Sequence, residues 1–245
     1  MTLRGEWKRR AVAAAAAGAL LPVACGGEAP RGLAPLPTPG SGPAVTPPLN
    51  MALLAQVPLA DLASRPLTPV AAPPRASLSG AGNWGYASAI NDGFLALLDV
   101  SNPRDVRERS RFFTGGRFTH NAWPTRDGRY VFTTDERPGR PVEAWDLIDP
   151  LQPRKVAEYI ARTGTMPHNV MVEGDRLLVA HYTEGVHLLD VRDPERPTLV
   201  GSFDTHPAVA PDFAGVWGAY IFPGSDLVLA SDMQGGLFVL RTGRQ

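Results

Sequence analysis

One seven-residue pattern occurs three times in this chain, as LLDVSNP at Leu97–Pro103, AWDLIDP at Ala144–Pro150 and LLDVRDP at Leu188–Pro194. Measured from Asp99 to Asp146 to Asp190, the intervals are 47 and 44 residues. A period of that length marks a repeat architecture, in which each unit is one supersecondary element that buries its apolar faces only against its neighbours.

Each unit reads as short strands. In the cleanest, HNVMVEG (His168–Gly174), RLLVAHY (Arg176–Tyr182), GVHLLDV (Gly185–Val191) and TLVGSF (Thr198–Phe203) are separated by Gly-Asp, Thr-Glu-Gly and Asp-Pro turns. Period-two alternation with turn residues about every 8–12 positions predicts strands throughout. Four antiparallel strands in roughly 45 residues, repeated in tandem, predict an all-β fold, a β-propeller built from about four blades of four-stranded antiparallel sheet over residues 81–245.

The count is short of comfortable. Residues 83–113 offer GYASAI, FLALLDV and RSRFF with no clear first strand. Residues 118–160 and 167–203 make two full blades, and 215–241 supply three more strands. Four blades lie near the low end for a closed ring. An N-terminal strand such as Arg65–Ala71 completing the last blade, a homodimer combining two arcs, or an open edge left by an internal deletion would each resolve the shortfall.

The repeated aspartates have a structural explanation. Each precedes an Asx-Pro pair: Asn102-Pro103, Asp149-Pro150 and Asp193-Pro194. Asx side chains accept hydrogen bonds from nearby backbone amides, and the residue before proline is pushed toward extended geometry. Asp99, Asp146 and Asp190 are therefore expected to build the turn between the third and fourth strands.

His120-Asn121 and His168-Asn169, 48 residues apart, each open a predicted first strand. First strands lie innermost in a propeller, so equivalent positions in successive blades meet at one channel mouth. His120, Asn121, His168 and Asn169 are the candidate ligand-binding residues. Two histidines on converging strands suit a metal or an anion; the competing account is a polar plug bonded to backbone at strand entry. The corresponding stretch GVWGAYIF (Gly215–Phe222) has Val216 and Trp217 at that place, which leaves His120 and His168 as weak metal candidates. No cofactor is expected. His181, His187 and His206 fall outside the period and are assigned to the surface or to packing. Trp84, Trp123, Trp145 and Trp217 are expected to fill gaps between sheets.

The N-terminus carries a different signal. Arg4, Lys8, Arg9 and Arg10 form a basic head interrupted by Glu6, and Ala11–Leu21 is uncharged and apolar. That stretch is too short to span a bilayer but suits an export signal. It runs into Leu21-Pro22-Val23-Ala24-Cys25-Gly26, which resembles the lipobox of bacterial lipoproteins, although Pro22 stands where Leu is usual. Cys25 is the only cysteine, so the chain has no disulfide framework. The pattern implies a signal peptide over residues 1–25, lipidation at Cys25 and a protein exported to the bacterial cell envelope and anchored to membrane. Ordinary cleavage near Ala24 is the alternative.

Residues 26–80 contain 12 Pro and 6 Gly but only five charged residues, a composition expected to form a loose linker. Largely polyproline-like, it would reach on the order of 150 Å. Within it, MALLAQVPLADL (Met51–Leu62) reads as a short helix cut by Pro58. Lys+Arg and Asp+Glu balance at 24 each, so no large field draws nucleic acid, and none is expected as a partner. The chain has no G-x-S-x-G elbow, H-E-x-x-H motif, Walker loop or Rossmann glycine fingerprint.

LLDVRDPERPTLVGSF (Leu188–Phe203) resembles the LVIVD repeat, and GVWGAYIFPGSDLVLASDMQGGLFVLR (Gly215–Arg241) is similar to the C-terminal end of the choice-of-anchor B family of bacterial surface proteins. Trp84-Gly85-Tyr86 resembles that family's opening repeat, and the two His-Asn pairs sit where it tends to place histidine. The resemblance covers about residues 83–241 and implies a β-propeller on an exported, anchored protein. It transfers architecture better than activity.

Two functions from different classes follow. One is a non-enzymatic binding or scaffold module, membrane-anchored outside the cytoplasm, whose propeller takes a protein or glycan ligand. The other is a secreted propeller hydrolase or oxidoreductase that uses channel-facing His120 and His168 with a metal. The tether and the missing catalytic motifs favour the first.

Overall fold

The alternating runs become strands, and the first of them belongs to the last blade. The computed structural model describes residues 50–57, 76–207 and 213–243. The basic head, Cys25 and Arg65–Ala71 lie outside them. β1 (Met51–Val57) precedes blade 1, which comprises β2 (Ala76–Ala81), β3 (Trp84–Ala89), β4 (Phe94–Asp99) and β5 (Arg107–Phe113). Blade 2 comprises β6 (Thr119–Pro124), β7 (Tyr130–Asp135), β8 (Val142–Asp146) and β9 (Arg154–Tyr159). Blade 3 comprises β10 (Asn169–Glu173), β11 (Arg176–Ala180), β12 (Val186–Asp190) and β13 (Thr198–Phe203). Blade 4 is β14 (Val216–Ile221), β15 (Leu227–Asp232) and β16 (Gly236–Thr242), with β1 as its outermost strand. All four sheets are antiparallel and four-stranded, as expected.

Two expectations are corrected. The strand that completes blade 4 is Met51–Val57, which pairs along β16 from Met51↔Thr242 to Val57↔Leu237. It is not a helix. Seven residues before Pro58 are too few to hold a helix alone, whereas the unpaired edge of β16 offers partners to the backbone groups that face it. Met51 and Leu53 then pack on the core between blades 3 and 4. Blade 1 is also complete, because β2 supplies the first strand that the sequence did not reveal. The segment 26–80 therefore contributes β1 and nearly all of β2, and is not linker throughout.

Consecutive inner strands, β2 with β6, β6 with β10 and β10 with β14, lie side by side. Between the blades sit three apolar clusters. Tyr86, Leu95 and Leu97 of blade 1 meet Val131 and Trp145 of blade 2. Phe132 and Ala144 of blade 2 meet Val179 and Leu189 of blade 3. Leu178 and Leu188 of blade 3 meet Val228 and Leu240 of blade 4. Neighbours in one strand thus face opposite blades, as Leu188 and Leu189 do, which is why the internal strands read as unbroken apolar runs. Each such buried side chain contributes roughly 1.5–3 kcal/mol. Among the described residues no cluster joins blade 4 to blade 1.

The Asp-x-x-Asx-Pro motif acts as a pair of amide acceptors in every repeat. Asp99, Asp146 and Asp190 accept from the backbone N–H two residues on, at 3.0, 3.0 and 2.9 Å. Asn102, Asp149 and Asp193 do the same at 3.0, 3.0 and 3.1 Å. Asp146 is almost fully buried and is further held by Arg129 and Arg154. The hydrogen bond from Arg129 keeps its carboxyl below the usual carboxylate range.

Candidate functional site

The inner strands of blades 2, 3 and 4 begin with one residue in a shared position: His120, His168 and Trp217. A register break at His120 in β6 and another at Trp217 in β14 mark the entries of those strands, and such bulges re-aim a side chain. Each of the two histidines reaches the next blade. His120 Nδ1 donates to the backbone carbonyl of His168 at 3.2 Å, and His168 Nδ1 donates to the carbonyl of Trp217. A carbonyl can only accept, so both contacts call for a proton on Nδ1, whereas Asn169 Nδ2, 2.8 Å from His168 Nδ1, calls for a bare nitrogen there. The asparagines repeat the same step. Asn121 Oδ1 accepts from Val170 N at 3.1 Å, and Asn169 Nδ2 donates to the Trp217 carbonyl at 3.0 Å.

The polar plug bonded to backbone is therefore present, and it staples blade to blade. It uses only one side of each ring. The other ring nitrogens, His120 Nε2 and His168 Nε2, converge on Glu136 at the exit of β7, at 3.7 Å from Oε2 and 3.6 Å from Oε1. The imidazoles lie with centroids 4.3 Å apart and planes tilted by 33°. Tyr182 donates its hydroxyl to Glu136 Oε1, and Trp217 lies against His168 at 4.4 Å. His168 is 1% exposed, and its Nε2 has no hydrogen-bond partner. Burial first, then the neighbouring His120, pushes its pKa down to about 4.

Backbone geometry fixes this corner. Tyr182 sits at a φ of 42° and forms a lone bridge with Val216. Gly215, at a φ of 90°, approaches the Tyr182 carbonyl so closely that a Cβ there would lie 2.4 Å from it. Glycine is required at that point. Above the cluster Phe213 and Trp217 are 61% and 50% exposed, and Phe213 packs edge-on against Tyr182. Trp217 is consequently an exposed residue of the mouth and not the core filler expected of it, whereas Trp145 is buried between blades 1 and 2.

All four predicted site residues are thus brought to one mouth. Glu136 and Tyr182 were missed. They occupy equivalent exits of the second strands, since Thr134 pairs with Asn121 as Ala180 pairs with Asn169. Their spacing of 46 residues was the available signal. His181 and His187 are buried packing residues stacked at 5.5 Å, with His187 bonded to Tyr159 at 2.8 Å. Two surface hollows, about 340 Å³ beside Glu173 and Asp190 and about 720 Å³ beside Asn50 and Thr242, are not lined by any mouth residue.

No protein-family model matches the sequence, and no curated protein does. Solved structures do. The β-propeller domain of Cps50 (Swd1) from Myceliophteria thermophila is similar with a TM-score of 0.52 at 12% identity, over 69% of this chain and 52% of that one. The C-terminal WD40 domain of Sif2 is similar with a TM-score of 0.50 at 14% identity, over 66% and 43%. The fold is a β-propeller. A functionally unknown protein from Desulfotomaculum acetoxidans DSM 771 is likewise similar, with a TM-score of 0.52 at 13% identity over 68% and 54%. The propeller described here spans about half the length of these relatives.

Proposed function

We propose that this propeller is a binding or scaffold module, lipid-anchored through Cys25 outside the cytoplasm of a bacterium, of the LVIVD-repeat, choice-of-anchor B kind its repeats resemble. The observation that carries the binding role is the mouth itself. Three successive blades place equivalent side chains there, with exposed Trp217 and Phe213 beside the polar cluster. Large exposed aromatic rings are among the side chains that most often dominate recognition of a partner. No serine, threonine or cysteine is bonded to either histidine ring among the described residues, so a nucleophile-based hydrolase is the weaker account.

A photo-crosslinking amino acid at position 217 should capture an envelope component in living cells. The same group at Ile148, 74% exposed in the Asp146–Pro150 turn, should not. Equal capture at both positions would contradict a mouth-specific role. Anchoring has its own test: Cys25→Ser should abolish acyl labelling and release the protein from membranes, and persistent labelling would remove the lipid from the account.

Among the described residues no blade covers the outer faces of blades 1 and 4, which supports a homodimer that completes the ring. Tyr220, Leu229 and Val239 are paired across blade 4 on the side away from its core. Phe94 and Phe113 are paired on the outer side of blade 1 with rings 6.3 Å apart. Internal blades cover such faces with a neighbour, and two arcs of this length match the size of one relative's chain. A solution mass of twice the chain is expected, and a monomeric mass would contradict ring completion.

A further inference from the structure

We propose that His120, Glu136 and His168 form a binding site for one divalent transition-metal ion of the zinc class, held by the two Nε2 atoms and the Glu136 carboxylate. The site lies on the floor of the mouth and requires no macromolecular partner.

Proton placement is the first argument. In the tautomer that satisfies the His168 and Trp217 carbonyls, with the proton on each Nδ1, each Nε2 presents a lone pair to the carboxylate. Three electron-rich groups then face one another, at N···O separations of 3.6 and 3.7 Å. A protonated imidazole bonded to a carboxylate would close to about 2.7–2.9 Å. Buried acceptors without a donor are costly, and His168 Nε2 is such an atom. A cation between the three groups satisfies all of them.

Size agrees with charge. The three donor atoms all lie within 4.8 Å of one another. Metal–nitrogen and metal–oxygen bonds of about 2.0–2.2 Å place tetrahedral ligands roughly 3.3–3.5 Å apart, so the two histidine–carboxylate separations must close by a few tenths of an ångström and the widest pair by up to about 1.5 Å. The surroundings also fit. Metal-bound imidazoles characteristically donate their other N–H to a carbonyl or carboxylate, and ligating carboxylates are themselves hydrogen-bonded. Both histidines meet the first condition, and the Tyr182 hydroxyl meets the second. Two imidazoles with one carboxylate favour zinc-class ions over calcium or magnesium, which prefer all-oxygen shells. Three protein ligands also leave a coordination position for water or ligand.

The test is a titration of the chelator-stripped, purified chain with Zn²⁺, followed by calorimetry and by elemental analysis after desalting. One equivalent should bind, and Co²⁺ in its place should give the visible absorption of a low-coordinate site. Glu136→Gln, which keeps the shape and the Tyr182 contact, should weaken binding at least tenfold, and His120→Ala should do the same if that variant fails to fold. Tyr182→Phe should weaken binding less while keeping the stoichiometry. Substoichiometric uptake by the unaltered chain, or undiminished uptake by a folded Glu136→Gln or His120→Ala variant, would overturn the site. Calcium binding as tight as Zn²⁺ would overturn the zinc-class assignment. No partner enters the experiment, so its failure leaves the binding-module proposal standing.

Discussion

The rim and the mouth of this propeller both repeat polar residues with the blade period, and they use them in opposite ways. At the rim, Asp99, Asp146 and Asp190 spend their acceptors locally, on an amide two residues along and on nearby arginines. At the mouth, His120, Asn121, His168 and Asn169 reach across to the next blade. Rim residues finish a turn and have no lone pair left to offer a ligand. The two mouth histidines bind backbone with one ring nitrogen and still present the other. Repetition alone does not separate scaffold from site; what separates them is whether every donor and acceptor is already used.

The largest expected contrast is with pH. His181 and His187, packed against blade 2, have pKa values pushed down by burial to about 3 and about 4. In the unfolded chain they take up protons near 6.5, so the unfolded state gains protons first. Stability is then lost as pH falls from about 6.5 toward 4. Rim carboxylates, held low by their hydrogen bonds, begin to add to the loss only below about pH 5, as the unfolded carboxyls take up protons. Glu143, raised by burial, acts in the opposite sense by protonating first in the fold. A fall in Tm on the order of 5–10 °C between pH 7 and about pH 4.5 is expected, and a flat profile would break the contrast.

Smaller effects separate the rim from itself. Asp146→Ala removes a buried acceptor from Ile148 N and from two arginines, and should cost about 2–3 kcal/mol in denaturant unfolding. Asn169→Ala at the mouth removes one inter-blade bond, for about 1 kcal/mol. Asp193→Ala, at an exposed turn with an exposed Arg196 partner, should cost no more than about 0.5 kcal/mol. If Asp193 and Asp146 prove equally costly, burial is not what grades the motif.

Much of this was legible because it is local. Alternation and turn chemistry within blade 3 located all four of its strands, and the Asx-Pro motif announced its own hydrogen bonds. β1 was not legible, because Met51–Val57 is a strand only by virtue of the free edge of β16, almost two hundred residues away in sequence. β2 was hidden by an Ala, Ser and Gly composition that resembles the proline-rich tract before it. The two His-Asn pairs were found from their period, and their convergence followed from the fold. Glu136 escaped because a single acid after a strand carries no pattern until Tyr182, at the matching exit, is seen to bond it. Trp217 was read as core filler, since exposure depends on whether a further blade covers it.

The central claim is that the mouth histidines have an unused side and the rim carboxylates have none. Long-range ¹H–¹⁵N correlation spectra of the metal-stripped protein at about pH 8 test it directly, because they report which ring nitrogen carries the proton. His120 and His168 are expected to show a protonated Nδ1 and a bare Nε2, with both Nε2 signals shifting on addition of one equivalent of Zn²⁺. A proton on Nε2 of either ring, or Nε2 signals indifferent to the metal, would contradict the account.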